Sequence, residues 1–213
     1  AEEYFKKLVK DFSDSQHAPE ALYRAAENAY NQGRHTKAIA YIDQLLDDYP
    51  DGHDRVKAKA WYLRGDIFST STRFKEASEA YDACAALVKG SRLYFAAIGS
   101  RGDAYYSLAG LEKDGTDSYE EARKSYKQII TECKDALFVE MSQYRAAKIH
   151  ENLAQQHPVK RKEHVALAEE YYLDIFFSYK SIDISANLVD WYYFSRAGFD
   201  LARIYVEDDR LEA

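Results

Sequence analysis

His150-Glu151 opens the pattern by which a zinc-hydrolase helix offers two histidines one turn apart with a glutamate beside the first. Ala154 stands where the second histidine is required. One helix ligand does not hold a zinc ion, so no metal site is expected. The six histidines are spread along the chain without ligand spacing and read as surface or packing residues. There is no glycine-rich phosphate loop, no Gly-x-Ser-x-Gly elbow and no Cys-x-x-Cys pair. The expectation is a chain that is not an enzyme and takes no cofactor.

Binding chemistry is better represented. Tyr23, Glu27, Tyr30 and Asn31 share one helical stripe, and Tyr62, Asp66, Ser69 and Thr70 form a second. Asp103, Tyr106 and Ser107 follow, then Tyr144, Lys148, Glu151 and Asn152. Tyrosine brings a large contact area, little entropy to lose and a polar tip, which suits an interface. Glu27, Asp66 and Asp103 would give such a surface an acidic floor and favour a basic partner. The alternative is a solvated helix face on which the tyrosines fill seams between repeats.

Arg64-Gly65-Asp66 and Arg101-Gly102-Asp103 both spell an adhesion tripeptide, but each glycine falls at a helix packing position instead of an exposed loop. Cys84 and Cys133 lie on apolar stripes at depths differing by about one turn, roughly 6 Å. Adjacent helix axes add about 8–10 Å. The pair is therefore beyond the roughly 7 Å reach of a disulfide, and two free thiols are expected.

The elements that position these residues follow from one recurring stripe. An alanine is followed by apolar or aromatic residues four, seven, eight and eleven positions later. The five copies start at Ala1, Ala38, Ala77, Ala122 and Ala168. The first continues with Phe5, Leu8, Val9 and Phe12, and the last with Tyr172, Ile175, Phe176 and Tyr179. That spacing places each set on one face of an α-helix. A second helix precedes each copy after the first, marked by a small residue: Ala26, Gly65, Gly102 and Ala147. Polar turns such as Gln32-Gly33-Arg34-His35 and Ser71-Thr72-Arg73-Phe74 join the two. The unit is helix, turn, helix, and its repetition predicts about ten helices and no sheet.

On these residues the chain resembles the tetratricopeptide repeat (TPR) family. Leu22-Tyr23-Arg24-Ala25-Ala26 through Gly33-Arg34, Ala38 and Tyr49-Pro50 carry the resemblance best, followed by Trp61 through Gly65, Phe68 and Ala77. Asp47-Asp48-Tyr49-Pro50-Asp51-Gly52 is similar to the subtype of bacterial cell-envelope TPR proteins, which points to a periplasmic or envelope location. The resemblance implies an all-α, right-handed superhelical solenoid of antiparallel helix pairs. It also implies that the tyrosine-bearing faces line a concave groove for a protein or peptide. Stretches Leu111 to Ser118 and Gln155 to Glu163 read as insertions in inter-helix turns.

One repeat domain over 1–213 is expected: a half repeat at about 1–17, hairpins at 18–52, 54–90, 91–134 and 136–180, and a second half repeat at 187–213. Ala1 begins a second-helix stripe, and Leu201-Ala202 with Tyr205 resembles a first helix. The chain thus reads as a piece of a longer repeat protein with ends suited to end-to-end association. The groove set expected to meet a partner is Tyr23, Glu27, Tyr30, Asn31, Tyr62, Asp66, Asp103, Tyr106, Tyr144, Glu151 and Asn152.

Composition narrows the partner. The net charge of −7 disfavours nucleic acid and anionic membrane, both of which require basic surface. No apolar run approaches the roughly 18 residues that span a bilayer. A protein-interaction scaffold is the leading expectation. The alternatives are a structural spacer or assembly subunit within a larger protein, and a non-catalytic regulatory domain of a larger enzyme.

Overall fold

The computed structural model describes residues 15–51, 53–178 and 191–208, with Lys7, Asp11 and Ser13. Of the stripe residues, Ala1, Phe5, Leu8, Val9, Phe12 and Tyr179 lie outside the described residues. Among the described residues there are nine α-helices, one 3₁₀ turn and no strand. The helices are α1 (Ala18–Asn31), α2 (His35–Asp48), α3 (Asp54–Thr70), α4 (Phe74–Leu87), α5 (Arg92–Ala109), α6 (Thr116–Glu132), α7 (Ala136–Gln156), α8 (Arg161–Ser178) and α9 (Tyr192–Glu207). They fall into two compact units, Ala1–Leu108 and Ala109–Ala213.

Local chemistry sets the helix ends. Pro19 occupies the first turn of α1, where its missing N–H costs nothing, and Glu20 beside it complements the helix dipole. The helix closes at Gly33 (φ 71°), whose N–H donates to the Tyr30 carbonyl at 2.8 Å while Arg34 N–H donates to Ala29 at 2.9 Å. Thirty-nine residues on, the turn recurs with Thr72 (φ 58°): its N–H reaches Ser69 at 3.0 Å and Arg73 N–H reaches Phe68 at 2.9 Å. A β-branched residue held in left-handed backbone costs about 1–2 kcal/mol, so glycine suits this turn better.

In the first unit α1 packs on α2, α3 packs on α4, and α3 also packs against α1 and α2. Leu22, Ala25, Ala26 and Ala29 of α1 meet Ala38, Tyr41, Ile42 and Leu45 of α2, with Ala60, Leu63 and Ile67 of α3 closing the cluster. Two ion pairs repeat along the unit: Arg64 to Asp43 and Arg101 to Asp82, each at 2.5 Å.

The alanine stripe is the core of both units. Ala38, Ala77, Ala122 and Ala168 have no exposed surface, and neither do Leu45, Cys84, Ile129 and Ile175 seven positions later. The eighth position sits at the stripe's edge, about 80° around the helix. Leu46 and Ile130 are only half-buried there, and Phe176 is 37% exposed, stacked on Phe194 at 4.7 Å. Gly65 is required by close approach: a Cβ on it would lie 2.5 Å from Cε1 of Tyr81. Gly65 and Gly102 are buried within helices, which removes both adhesion tripeptides from any loop. Both cysteines are free, Cys84 buried and Cys133 half-buried.

In the second unit α7 packs on α6 and α8, and α9 packs on α8 and α7. Its core joins Ala147, Ala168, Tyr172, Ile175, Ala197, Leu201 and Ile204. Leu201 is buried and Tyr205 donates to Glu169 at 2.8 Å, because α9 lies against α8. The stretch Leu111 to Ser118 forms an exposed turn and the start of α6, with Leu111 70% exposed. The stretch Gln155 to Glu163 holds the end of α7, the 3₁₀ turn Pro158–Lys160 and the start of α8.

Candidate functional site

The first unit presents its predicted residues on α1, α3 and α5. Tyr23 donates to Glu27 at 3.2 Å, and Arg24 donates to the other oxygen of Glu27 at 2.9 Å. The Lys59 ammonium lies 5.2 Å from the Tyr23 ring centroid. Burial, then the Glu27 charge, pushes the Tyr23 hydroxyl up to about 12, so it acts as a neutral donor. Tyr30 stacks on His35 with centroids 5.6 Å apart, while Asn31 is exposed. Tyr23 and Tyr30 also pack against the core cluster, so their rings serve the seam as well as the face.

Tyr62 pairs with Ser100 at 3.0 Å, and its ring lies 5.4 Å from that of Tyr81. Tyr81 donates to Asp66 at 2.8 Å. Burial raises the Asp66 carboxyl above the ordinary carboxylate value, and the Tyr81 hydrogen bond opposes it only in part. The Asp66 charge is felt by Tyr30, Tyr62 and Tyr81, each already raised by burial. Asp66 makes no ion pair among the described residues. Asp103 and Tyr106 are half-buried on α5. Asp66 is therefore a partly desolvated negative charge surrounded by aromatic rings, a surrounding that a cation would relieve.

The second unit is arranged otherwise. Tyr144 donates to Asp200 at 2.8 Å and its ring lies 5.8 Å from Tyr172. Glu151 is 9% exposed and accepts from Tyr172 at 2.5 Å, Arg203 at 2.7 Å and Lys148 at 2.9 Å. Asp200 also meets Arg203 at 3.2 Å and Lys148 at 3.7 Å. Burial alone would push Asp200 up, but Tyr144 and the two cations hold it below its ordinary value. Asn152 donates to Tyr119 at 3.1 Å. Glu151 is thus the centre of a closed network, and Tyr144 and Asn152 are tied into the same surface.

Several participants escape a reading by stripe. Tyr81 and Tyr172 stand four residues after Ala77 and Ala168 and so read as core. Their rings are core, yet their hydroxyls cross the seam to Asp66 and Glu151. Asp200 and Arg203 reach Tyr144 and Glu151 from more than fifty residues away. His150, His157 and His164, which look scattered, gather on one side of the second unit, where His150 and His164 meet at 3.2 Å. Even so, no group of three ligand-type side chains among the described residues is placed to hold a metal ion. Nor is any described helix long and apolar enough to cross a membrane.

Comparison with known proteins agrees with the helical-hairpin fold. Tetratricopeptide repeat models match residues 20–52 and residues 58–87. These are the hairpins α1–α2 and α3–α4. No curated protein matches the sequence. Among solved structures, the crystal structure of BtubC (BKLC) from P. vanneervenii is similar, with a TM-score of 0.57 and 16% identity, covering 99% of this chain and 81% of that one. At that identity the likeness is one of fold.

Proposed function

We propose, from the premise that this is a tetratricopeptide-repeat protein, that it is a protein-binding scaffold whose first unit takes a basic segment of its partner. Repeats of this kind generally mediate contacts between proteins and are typically non-catalytic. The observation that carries the finer reading is Asp66, a partly buried carboxylate whose one hydrogen-bond partner among the described residues is the Tyr81 hydroxyl. Glu27 and Asp103 stand at equivalent places on the flanking helices α1 and α5, each directly after a small seam residue. A lysine or arginine entering between Tyr30, Tyr62 and Tyr81 would meet both a carboxylate and ring faces.

The test is fluorescence anisotropy with labelled basic, neutral and acidic peptides of about fifteen residues. Basic peptides are expected to bind, with Tyr62→Ala weakening them by more than about 1 kcal/mol. The Glu27→Gln, Asp66→Asn and Asp103→Asn triple variant should slow association and flatten its salt dependence. Preference for acidic peptides, or binding indifferent to the three carboxylates, contradicts the reading.

A further inference from the structure

The histidine cluster of the second unit lies apart from the face just described. His150 of α7 is 2% exposed, and its Nδ1 lies 3.2 Å from Nδ1 of His164 on α8. Their ring centroids are 5.4 Å apart. Imidazole nitrogens sit roughly 1.1 Å from the ring centre, so the two nitrogens point at one another along the line of centres. Such a contact needs one N–H and one lone pair. In the neutral pair one ring is the Nδ1–H tautomer and the other the Nε2–H tautomer. A first proton is accommodated on the donor ring, at its Nε2. A second puts hydrogen on both Nδ1 atoms, which abolishes the bond and leaves two cations in contact.

The surroundings oppose charge on this pair. From α6, Arg123 and Glu120 face it, joined by hydrogen bonds of 3.0 and 2.9 Å that leave little spare negative charge. From α8 come Glu163 and the ring of Tyr171, which stacks on His150 at 6.0 Å. The turn between α7 and α8 adds Lys160 and His157, whose Nε2 lies 3.2 Å from the Thr116 hydroxyl, with Asp114 near it. All of these but Tyr171 and Asp114 line a half-open cavity of about 310 Å³.

We infer that the His150–His164 pair is a pH-sensitive latch across the α7–α8 seam, closed while the pair carries at most one proton and opened by the second. Burial, then His164 and Arg123, lowers His150 from 6.5 to about 4. Burial lowers His164 as well, with His157, Lys160 and Arg123 adding to it against Glu163. Both folded values lie below the unfolded one, so the latch's stabilisation is present in full above about pH 6.5. It is lost as the pH falls through the folded values toward 4. The seam loosens on mild acidification, and the cavity between α6, α7 and α8 opens with it.

Hydrogen–deuterium exchange at pH 7 and pH 4.5, corrected for intrinsic rates, tests this. Protection of the facing amides of α7 and α8 should fall at least about tenfold further than that of α1 and α2. His164→Gln, which neither pairs two imidazoles nor takes a proton, should show less than about a threefold excess. An equal excess in the variant overturns the latch. Histidine ring NMR on the unaltered protein decides the case even if the variant does not fold. The pair should titrate together, with the second proton below about pH 5; two independent midpoints near 6.5 overturn the inference.

Discussion

Position for position, the residue after the small seam residue is Glu27, Asp66 and Asp103 in the first unit but Lys148 in the second, where Arg203 follows the exposed Ala202. The same site on the same kind of helix has changed sign. In the second unit the cations are consumed at home, since Lys148 and Arg203 both close on Glu151 and Asp200. In the first unit Asp66 is left with a tyrosine hydroxyl. A buried carboxylate ringed by its own cations is a structural element, and its removal damages the fold. A carboxylate held only by a neutral donor is an open valence, and under the proposed function its removal is expected to weaken binding.

The comparison is broken most severely by Glu151→Ala. The substitution strands Lys148, Arg203 and the Tyr172 hydroxyl around an empty place, and about 3 kcal/mol of stability should be lost in urea unfolding. A loss under about 1 kcal/mol would mean that the network is only surface pairing.

Gly65→Ala comes next. Its Cβ would press the Tyr81 ring, which joins the seam to Asp66, at an expected cost of about 2 kcal/mol. Gly198→Ala in α9 is the control from the other unit. Nothing lies within 4 Å of its Cβ, so a gain of about 0.5–1 kcal/mol is expected. Thermal unfolding of both variants distinguishes packing from helix propensity.

Asp66→Asn should have the smallest effect on stability, under about 1 kcal/mol and in the stabilising direction at pH 7. The sign follows from the raised carboxyl. A folded value above the unfolded one favours the protonated form in the fold. The contribution is therefore full below pH 3.8 and is lost as the pH rises through the folded value. Asparagine keeps an acceptor for Tyr81 without the charge, so unfolding between pH 3 and 7 should lose this dependence.

The seam was legible in the sequence because it is local: one helix face shows as a stripe, and Ala38, Ala77, Ala122 and Ala168 are all fully buried. The two adhesion tripeptides also resolve in these terms. Arg64 and Arg101 pair with Asp43 and Asp82, Gly65 admits Tyr81, and Asp66 accepts from that tyrosine. What a stripe cannot carry is pairing across the chain. Glu151 lies on the same helical face as Tyr144, yet it is buried because Arg203, fifty-two residues later, folds over it. The histidines at 150, 157 and 164 have no ligand spacing on a single helix. They gather because the turn at 158–160 reverses the chain between the first and the last.

The central claim is that the first unit, and not the second, offers negative charge to a partner. The direct measurement is a ¹⁵N NMR titration with a lysine-rich peptide of about fifteen residues at low salt. The predicted result is shift changes confined to the neighbourhood of Glu27, Asp66 and Asp103, weakened by salt and lost in Asp66→Asn. Changes centred on Glu151 and Asp200, or a response unchanged by Asp66→Asn, would contradict it.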